Sequence, residues 1–404
     1  MKKIRSIEDL QKLARAGKRI LTLFSGGLDS TYLLDIIKDY PARITAVAIN
    51  VGDDIEENKL KAITEHYGVD LNIIDAKQEF AEYNLISAIQ AQALYLGDYP
   101  VSSSLSRPII AKKAIELAEA LNCDAIIHTA NQSQNSLRRL NGAIERSGYQ
   151  GYYGSPYEFS AISREQKTKS LLKSGLVMFK SRNVSGDSNL WCREFESGIL
   201  DDPENFKLTE SIFTWSRWEP ELHLNGNKIK IGFKQGYPVT LNDEPIKLID
   251  LIEFINHRVG SYEIGRYVGF DHLEQDEKVL EIREAPAATI LMRAYKLLET
   301  AILPTDLLKI KSLHNDIWTQ EAVEGRHNSL LQNASYSFIA HTAEFISGNI
   351  TFELSRGNAI AISIIAENAK YLRNRDAWEI EAANSRSIRS INIDLIQKTI
   401  SKAI

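Results

Sequence analysis

The chain has 404 residues, 44% of them hydrophobic and 25% charged, with a formal net charge of −5. That length favours two domains, the composition is that of an ordinary globular protein, and the weak negative charge leaves no electrostatic footprint for nucleic acid or an anionic membrane. The two cysteines, Cys123 and Cys192, make neither a disulfide framework nor a metal cluster; with no apolar run near the ~20 residues of a membrane span and no signal-peptide core, a cytoplasmic protein is expected.

In chain order, residues 7–16 have the spacing of a short amphipathic helix, and RILTLF (19–24) reads as a buried strand. Ser25-Gly26-Gly27 leads from it into STYLLDIIKDY (30–40), whose apolar spacing is helical and which Ser30 is placed to cap. RITAVAINVG (43–52) is a nearly continuous apolar run, as in parallel strands buried on both faces. NKLKAITEHYG (58–68) predicts a helix closed by Gly68, VDLNIIDA (69–76) a strand, RPIIAKKAIELAEALNC (107–123) a helix burying Cys123, and DAIIHTA (124–130) a strand. Strands alternating with helices give a doubly wound parallel sheet over roughly residues 15–150.

Beyond about residue 170 the pattern changes. NKIKIGFKQGYPVTLND (227–243) and FISGNITFELSRGNAIAISIIAE (345–367) alternate and turn at Gly or Asn, as antiparallel hairpins do. EPIKLIDLIEFINHR (244–258) and ATILMRAYKLLETAI (288–302) read as helices between them. The expected organisation is α/β: a nucleotide-binding domain over 1–165, a second α+β domain over 166–367, and a C-terminal helical arm over 368–404.

The glycine connection is the strongest local signal. A helix N-terminus offers unpaired N–H groups and the positive end of a dipole. Gly26 and Gly27 allow backbone to approach an anion closely, and Ser25 and Ser30 add hydroxyls. A Gly-Gly turn alone is ordinary connection chemistry; SGGxDS between a buried strand and an amphipathic helix resembles the pyrophosphate-binding loop of the N-type ATP pyrophosphatases, and no GxxxxGK[ST] is present.

Further stretches resemble the argininosuccinate synthase family, in order and along nearly the whole chain. They are LFSGGLDST (23–31), NVGD (50–53), YPVSSSLSRP (99–108), HTANQSQNSLRRLN (128–141), SGDSNLWCREFESGILDDP (185–203) and REAPAATIL (283–291). The resemblance implies an adenine nucleotide alpha hydrolase-like fold, ATP with Mg²⁺, amino-acid substrates and a homotetramer. It implies ATP binding by Leu23, Phe24, Ser25, Gly26, Gly27, Leu28, Asp29, Ser30 and Thr31, with Ile49 and His128 flanking. Packing or a backbone contact is expected of His128, which closes a strand. Acceptor (citrulline-like) positions are Tyr99, Ser104, Asn135, Arg139, Ser185, Glu194, Asp271 and Arg283; amine (aspartate-like) positions are Asn131, Asn135 and Ser136. Ser25, Asp29 and Asn135 take the catalytic roles, Asp29 by organising the loop or a phosphate-bound Mg²⁺, and no metal ligand is assigned. Arg139 is the expected two-point partner of a substrate carboxylate.

The departures bear on substrate. Where the family has threonine, lysine and aspartate, this chain has Asn131, Ser133 and Ser136. Where it has serine, glutamate and tyrosine, this chain has Glu194, Asp271 and Arg283. Two readings stay open: Glu194 and Arg283 rebuild the polar site by exchange and citrulline and aspartate remain the substrates, or the chain is a paralog of specialised metabolism joining another ureido or carbonyl acceptor to another amine. A non-catalytic nucleotide-binding pseudoenzyme and a tRNA-thiolating enzyme are the rivals; the latter commonly needs a catalytic cysteine pair and an RNA-binding surface.

Overall fold

The computed structural model describes residues 2–179, 185–221, 226–273 and 276–385. Its first sheet is wholly parallel and six-stranded, in the spatial order Lys3–Ile4, Tyr152–Gly154, Ala125–Ile127, Arg19–Leu23, Arg43–Asn50, Asp70–Asp75. Both faces are covered, which is why the strands read as apolar runs. Ile20, Ala46, Ala48 and Ile127 pack on one side against Leu33, Leu34 and Ile37 of helix Leu28–Ile37 and Leu60 and Ile63 of helix Glu57–Tyr67. Leu21, Val47 and Ile126 pack on the other against Ala111, Ala114 and Ala118 of helix Ser103–Ala120 and Ile144 of helix Ser136–Arg146. The sheet is therefore doubly wound, as its sequence predicts. Gly68 ends its helix left-handed, at φ +63°.

Two short strands escape the sequence pattern: Lys3–Ile4 and Tyr152–Gly154 extend the sheet at one edge. Helix Ser103–Ala120 begins four residues before the predicted start and carries Pro108 inside it. A proline has no N–H to give the carbonyl four residues back; here Nε2 of buried His327 donates to that Ser104 oxygen at 2.5 Å. Cys123 is not in the helix but in the turn after it, half-buried.

The second layer is built on antiparallel sheets. The predicted hairpins are Lys228–Lys234 with Tyr237–Leu241 and Gly348–Ser355 with Asn358–Ala366, joined in one five-stranded sheet. Helices Leu248–Gly260 and Pro286–Ile302 bury their apolar faces beside it. The segment from Phe80 to Val101, including a π-helical turn over Phe80–Leu85, joins this core rather than that of the parallel sheet. A four-stranded antiparallel sheet, ordered Arg266–His272, Lys278–Glu284, Arg193–Glu196, Ser185–Ser188, has a small apolar cluster of its own. Residues 375–385 are helical and exposed, and the rest of the expected arm, 386–404, lies outside the described residues.

Candidate active site

Strand Arg19–Leu23 is central, and the chain passes from it to Arg43–Asn50 on one side and later returns to Ala125–Ile127 on the other. Its carboxyl end is thus at the switch point where such sheets bind ligands. Gly26 is left-handed, at φ +65°, and a Cβ there would collide with the Leu60 side chain. Gly27 caps helix Leu28–Ile37 by backbone alone, so the expected cap by Ser30 is replaced: Ser30 lies within the first turn and donates its hydroxyl to Gly27 O at 3.2 Å. Ser25 Oγ accepts from Gly27 N at 3.3 Å and lies 3.4 Å from Ser30 Oγ. A helix leaves the N–H groups at its start, here those of Leu28, Asp29 and Ser30, without partners of its own. Leu23 and Leu28 are partly buried, whereas Phe24 and Thr31 are packed into the core.

Asp29 is held from a direction that the sequence does not signal. Lys167, from helix Arg164–Lys173, donates to its carboxylate at 2.7 Å and stands 4.4 Å from the ring centre of Tyr157, whose hydroxyl donates to Asp29 O at 2.9 Å. Ile49 sits near the carboxyl end of its strand, paired with Ile74. The His128 imidazole is buried and bonded through Nε2 to Asn141 at 3.0 Å, and burial pushes its pKa down to about 4. It packs and stays neutral, so the nucleotide role implied for it is not one for its side chain.

The other half of the site is one face of the four-stranded sheet. A strand sends alternate side chains to opposite faces. In REFE and KVLEIRE, Phe195, Leu280 and Ile282 go down into a small apolar cluster with Leu200 and Phe213. Glu194, Glu196, Glu281 and Arg283 go up, with Asp187 and Asp271 from the flanking strands. This charged floor meets the helix and loop that carry Ser103, Arg107, Asn135 and Arg139. Glu194 and Arg283, directly opposite in register, form an ion pair, and Arg283 also binds Glu281 and stacks 4.3 Å from the Tyr99 ring. Arg139 is buried with each of its three nitrogens engaged: Nε on Val323 O at 3.0 Å, one terminal nitrogen on Ser103 Oγ at 2.7 Å, the other on Asp271 at 3.4 Å. The partner expected to be a substrate carboxylate is, in this structure, Asp271. Asn135 Nδ2 donates to the same Asp271 oxygen at 2.8 Å. Burial opposes ionisation of Asp271, yet Arg139 and Arg283 hold it below the usual carboxylate range.

A narrow cavity is lined by Tyr99, Ser104, Arg139, Glu194, Asp271 and Arg283, so six of the eight predicted acceptor positions converge. Asn135 touches its wall through Asp271; Ser185 lies on the floor strand opposite Glu196, its side chain outside the described part. A wider depression, lined among others by Lys3, Gln132, Gln134, Asn135, Arg138 and Glu324, opens on the far side of Asn135. Asn131 turns its oxygen onto Ser133 at 2.7 Å within the loop, and Ser136 Oγ accepts from Arg107 Nε at 3.1 Å. The turn between strands Ser185–Ser188 and Arg193–Glu196 closes on the end of strand Arg43–Asn50 at Gly52, where φ is +104° and a Cβ would strike the Leu190 backbone; Leu190 N donates to Val51 O at 2.8 Å. Burial pushes the thiols of Cys123 and Cys192 up, the reverse of what a nucleophilic cysteine needs.

Comparison with known proteins gives concordant matches. A family model described as the arginosuccinate synthase N-terminal HUP domain matches residues 19–167, and one described as the arginosuccinate synthase C-terminal domain matches 184–388. The chain is 32% identical to the argininosuccinate synthase of Pyrococcus furiosus, over 87% of this chain and 86% of that protein. It is 32% identical to that of Lacticaseibacillus paracasei, over 91% and 93%, and 30% identical to that of Haloquadratum walsbyi, over 87% and 89%.

Proposed function

The chain belongs to the argininosuccinate synthase family of carbon–nitrogen ligases, and from that premise we propose that it uses ATP to adenylate the ureido oxygen of citrulline and joins the activated carbon to the amine of aspartate. The observation that carries the reading is the loop over residues 25–30, an anion site at the carboxyl end of a central strand. The triphosphate lies over that loop, the ureido oxygen attacks the α-phosphorus, and pyrophosphate departs. Charge growing on the leaving phosphates meets N–H donors already oriented by the helix. Asp29, fixed by Lys167, holds the first turn of that helix in place. The amine then displaces AMP, giving a guanidino product.

Among the described residues no three His, Cys, Asp or Glu side chains are placed to hold a metal ion. Mg²⁺ would accordingly arrive on the nucleotide's own phosphates and neutralise their charge, and Asp29 is the carboxylate of the loop that would be available to it. No helix of the described chain is long and apolar enough to cross a membrane. A cytoplasmic homotetramer acting on small molecules, without nucleic acid, completes the reading.

One observation favours a second reading. In the cavity Arg139 with Asp271 and Arg283 with Glu194 already satisfy one another, so a citrulline ammonium and carboxylate must displace internal ion pairs. An acceptor with fewer charges meets no such competition, which suits a specialised-metabolism paralog. The deciding experiment supplies ATP with each of several ureido compounds and each of several amino acids, and measures pyrophosphate and the condensed product. Argininosuccinate from citrulline and aspartate as the preferred product is the expected result; preference for another pair replaces the substrates, and ATP binding without turnover for every pair leaves a pseudoenzyme.

A further inference from the structure

We propose that Glu196 is the base that takes the proton from the incoming amine. The inference rests on the ligase reading above and gives a role to a residue which that reading leaves idle.

An amine arrives as an ammonium ion, which has no lone pair with which to attack. The loop that would receive it offers no carboxylate: Asn131 is bonded within the loop and Ser136 is held by Arg107. The floor beneath supplies one. Gln134 of that loop lines the outer depression, and its amide donates to Glu196 Oε1 at 3.4 Å. Glu196 thus sits where the depression meets the charged floor.

Its neighbours set it apart. Asp187 pairs with Arg107, Asp271 with Arg139, and both Glu194 and Glu281 with Arg283. Among the described residues Glu196 is the one carboxylate of this floor without a cation, and its single donor is neutral. Half-buried and unneutralised, it can take up a proton at little electrostatic cost. Burial, and then Glu194 and Asp187, push its pKa up to about 7 against the pull of Gln134 and Arg107; Glu281 lies directly opposite in register. That is the range in which a general base serves best.

The step balances. One ammonium proton passes to a Glu196 oxygen, and the freed lone pair forms the C–N bond to the carbon of the neutral adenylyl-isourea. The C–O bond breaks, its electron pair leaves with AMP as the phosphate dianion, and the product is the guanidinium. Glu196 then returns its proton to water.

The test separates the two halves of the reaction in the full-length enzyme. Acceptor-dependent isotope exchange between the bridging and non-bridging oxygens of ATP reports activation; condensed product reports amine attack. In Glu196→Gln, exchange stays within about threefold of wild type while condensation falls by roughly 10²–10⁴-fold. The acid limb near pH 7 in kcat/KM for the amine disappears in this variant. Hydroxylamine, largely uncharged at neutral pH, restores capture of the adenylate in it, and Glu196→Asp retains part of the activity. Equal loss of exchange and condensation, or condensation at the wild-type rate, overturns the role of Glu196 and leaves the ligase reading standing. Wild-type enzyme that shows no exchange with any ureido acceptor overturns the ligase reading itself.

Discussion

Single residues shape the loop proposed to hold the phosphates. Gly26 needs a left-handed backbone and has no room for a Cβ beside Leu60, so Gly26→Ala must strain the loop by about 1–2 kcal/mol or move it. The expected outcome is a rise of at least tenfold in the KM for ATP with the acceptor KM little changed, read from initial rates of pyrophosphate release. Gly27 has an ordinary φ of −79°, and a Cβ there would lie 3.2 Å from Ser25 Oγ. Its importance is therefore space rather than conformation: Gly27→Val places a branched side chain in the proposed phosphate space and is expected to abolish ATP binding measured by calorimetry. Arg139 teaches the opposite lesson. Its position in a motif identified it, but only the fold brings Asp271 against it.

At the scale of elements, the helix after the glycine loop is anchored by a second helix from late in the sequence. Asp35 accepts from Ser170 at 2.7 Å, Ser174 at 2.6 Å and Lys38 at 2.8 Å. Burial opposes its ionisation, but these donors carry the carboxyl down from 3.8 to about 2. A depressed folded-state pKa stabilises above the unfolded value and is lost as pH falls through the folded one. Asp35→Asn should thus lower the Tm at pH 7, and the gap to wild type should shrink between about pH 4 and pH 2 in thermal melts; a constant gap would remove the assignment. Elements with strict periods were legible in the sequence: the central buried strands, the helices after the first two of them and the long one before Ala125–Ile127, and both hairpins; helix Ser136–Arg146 was not read. What else was not legible lacks a period. Two-residue Lys3–Ile4 carries no pattern, and the helix turn before Pro108 is completed by His327 from more than two hundred positions away. Glu196 and Lys167 were equally hidden, because a lone acid or lysine becomes informative only when its neighbours across the chain are known.

For the whole molecule, the outer sheet ends on strand Asn358–Ala366, which leaves Ile360, Ile362, Ile364 and Ile365 open to solvent, with Trp378 and Ile380 of the following helix also exposed. An uncharged edge of this kind invites pairing with another copy. Light scattering should find a mass several times 45.5 kDa, and Ile362→Lys should reduce it while the circular dichroism spectrum is retained. The other boundary of the molecule has a different consequence. Among the described residues the Lys3–Ile4 strand pairs with Tyr152–Gly154 alone, so its amides wait for about one hundred and fifty further residues of synthesis before they are sheltered. Long sequence separations close late. In pulse-labelled refolding the Lys3–Ile4 strand should gain protection after the central strands, and a nascent chain stalled before Tyr152 should hold strand Arg19–Leu23 in place while the Lys3–Ile4 segment stays open to a protease.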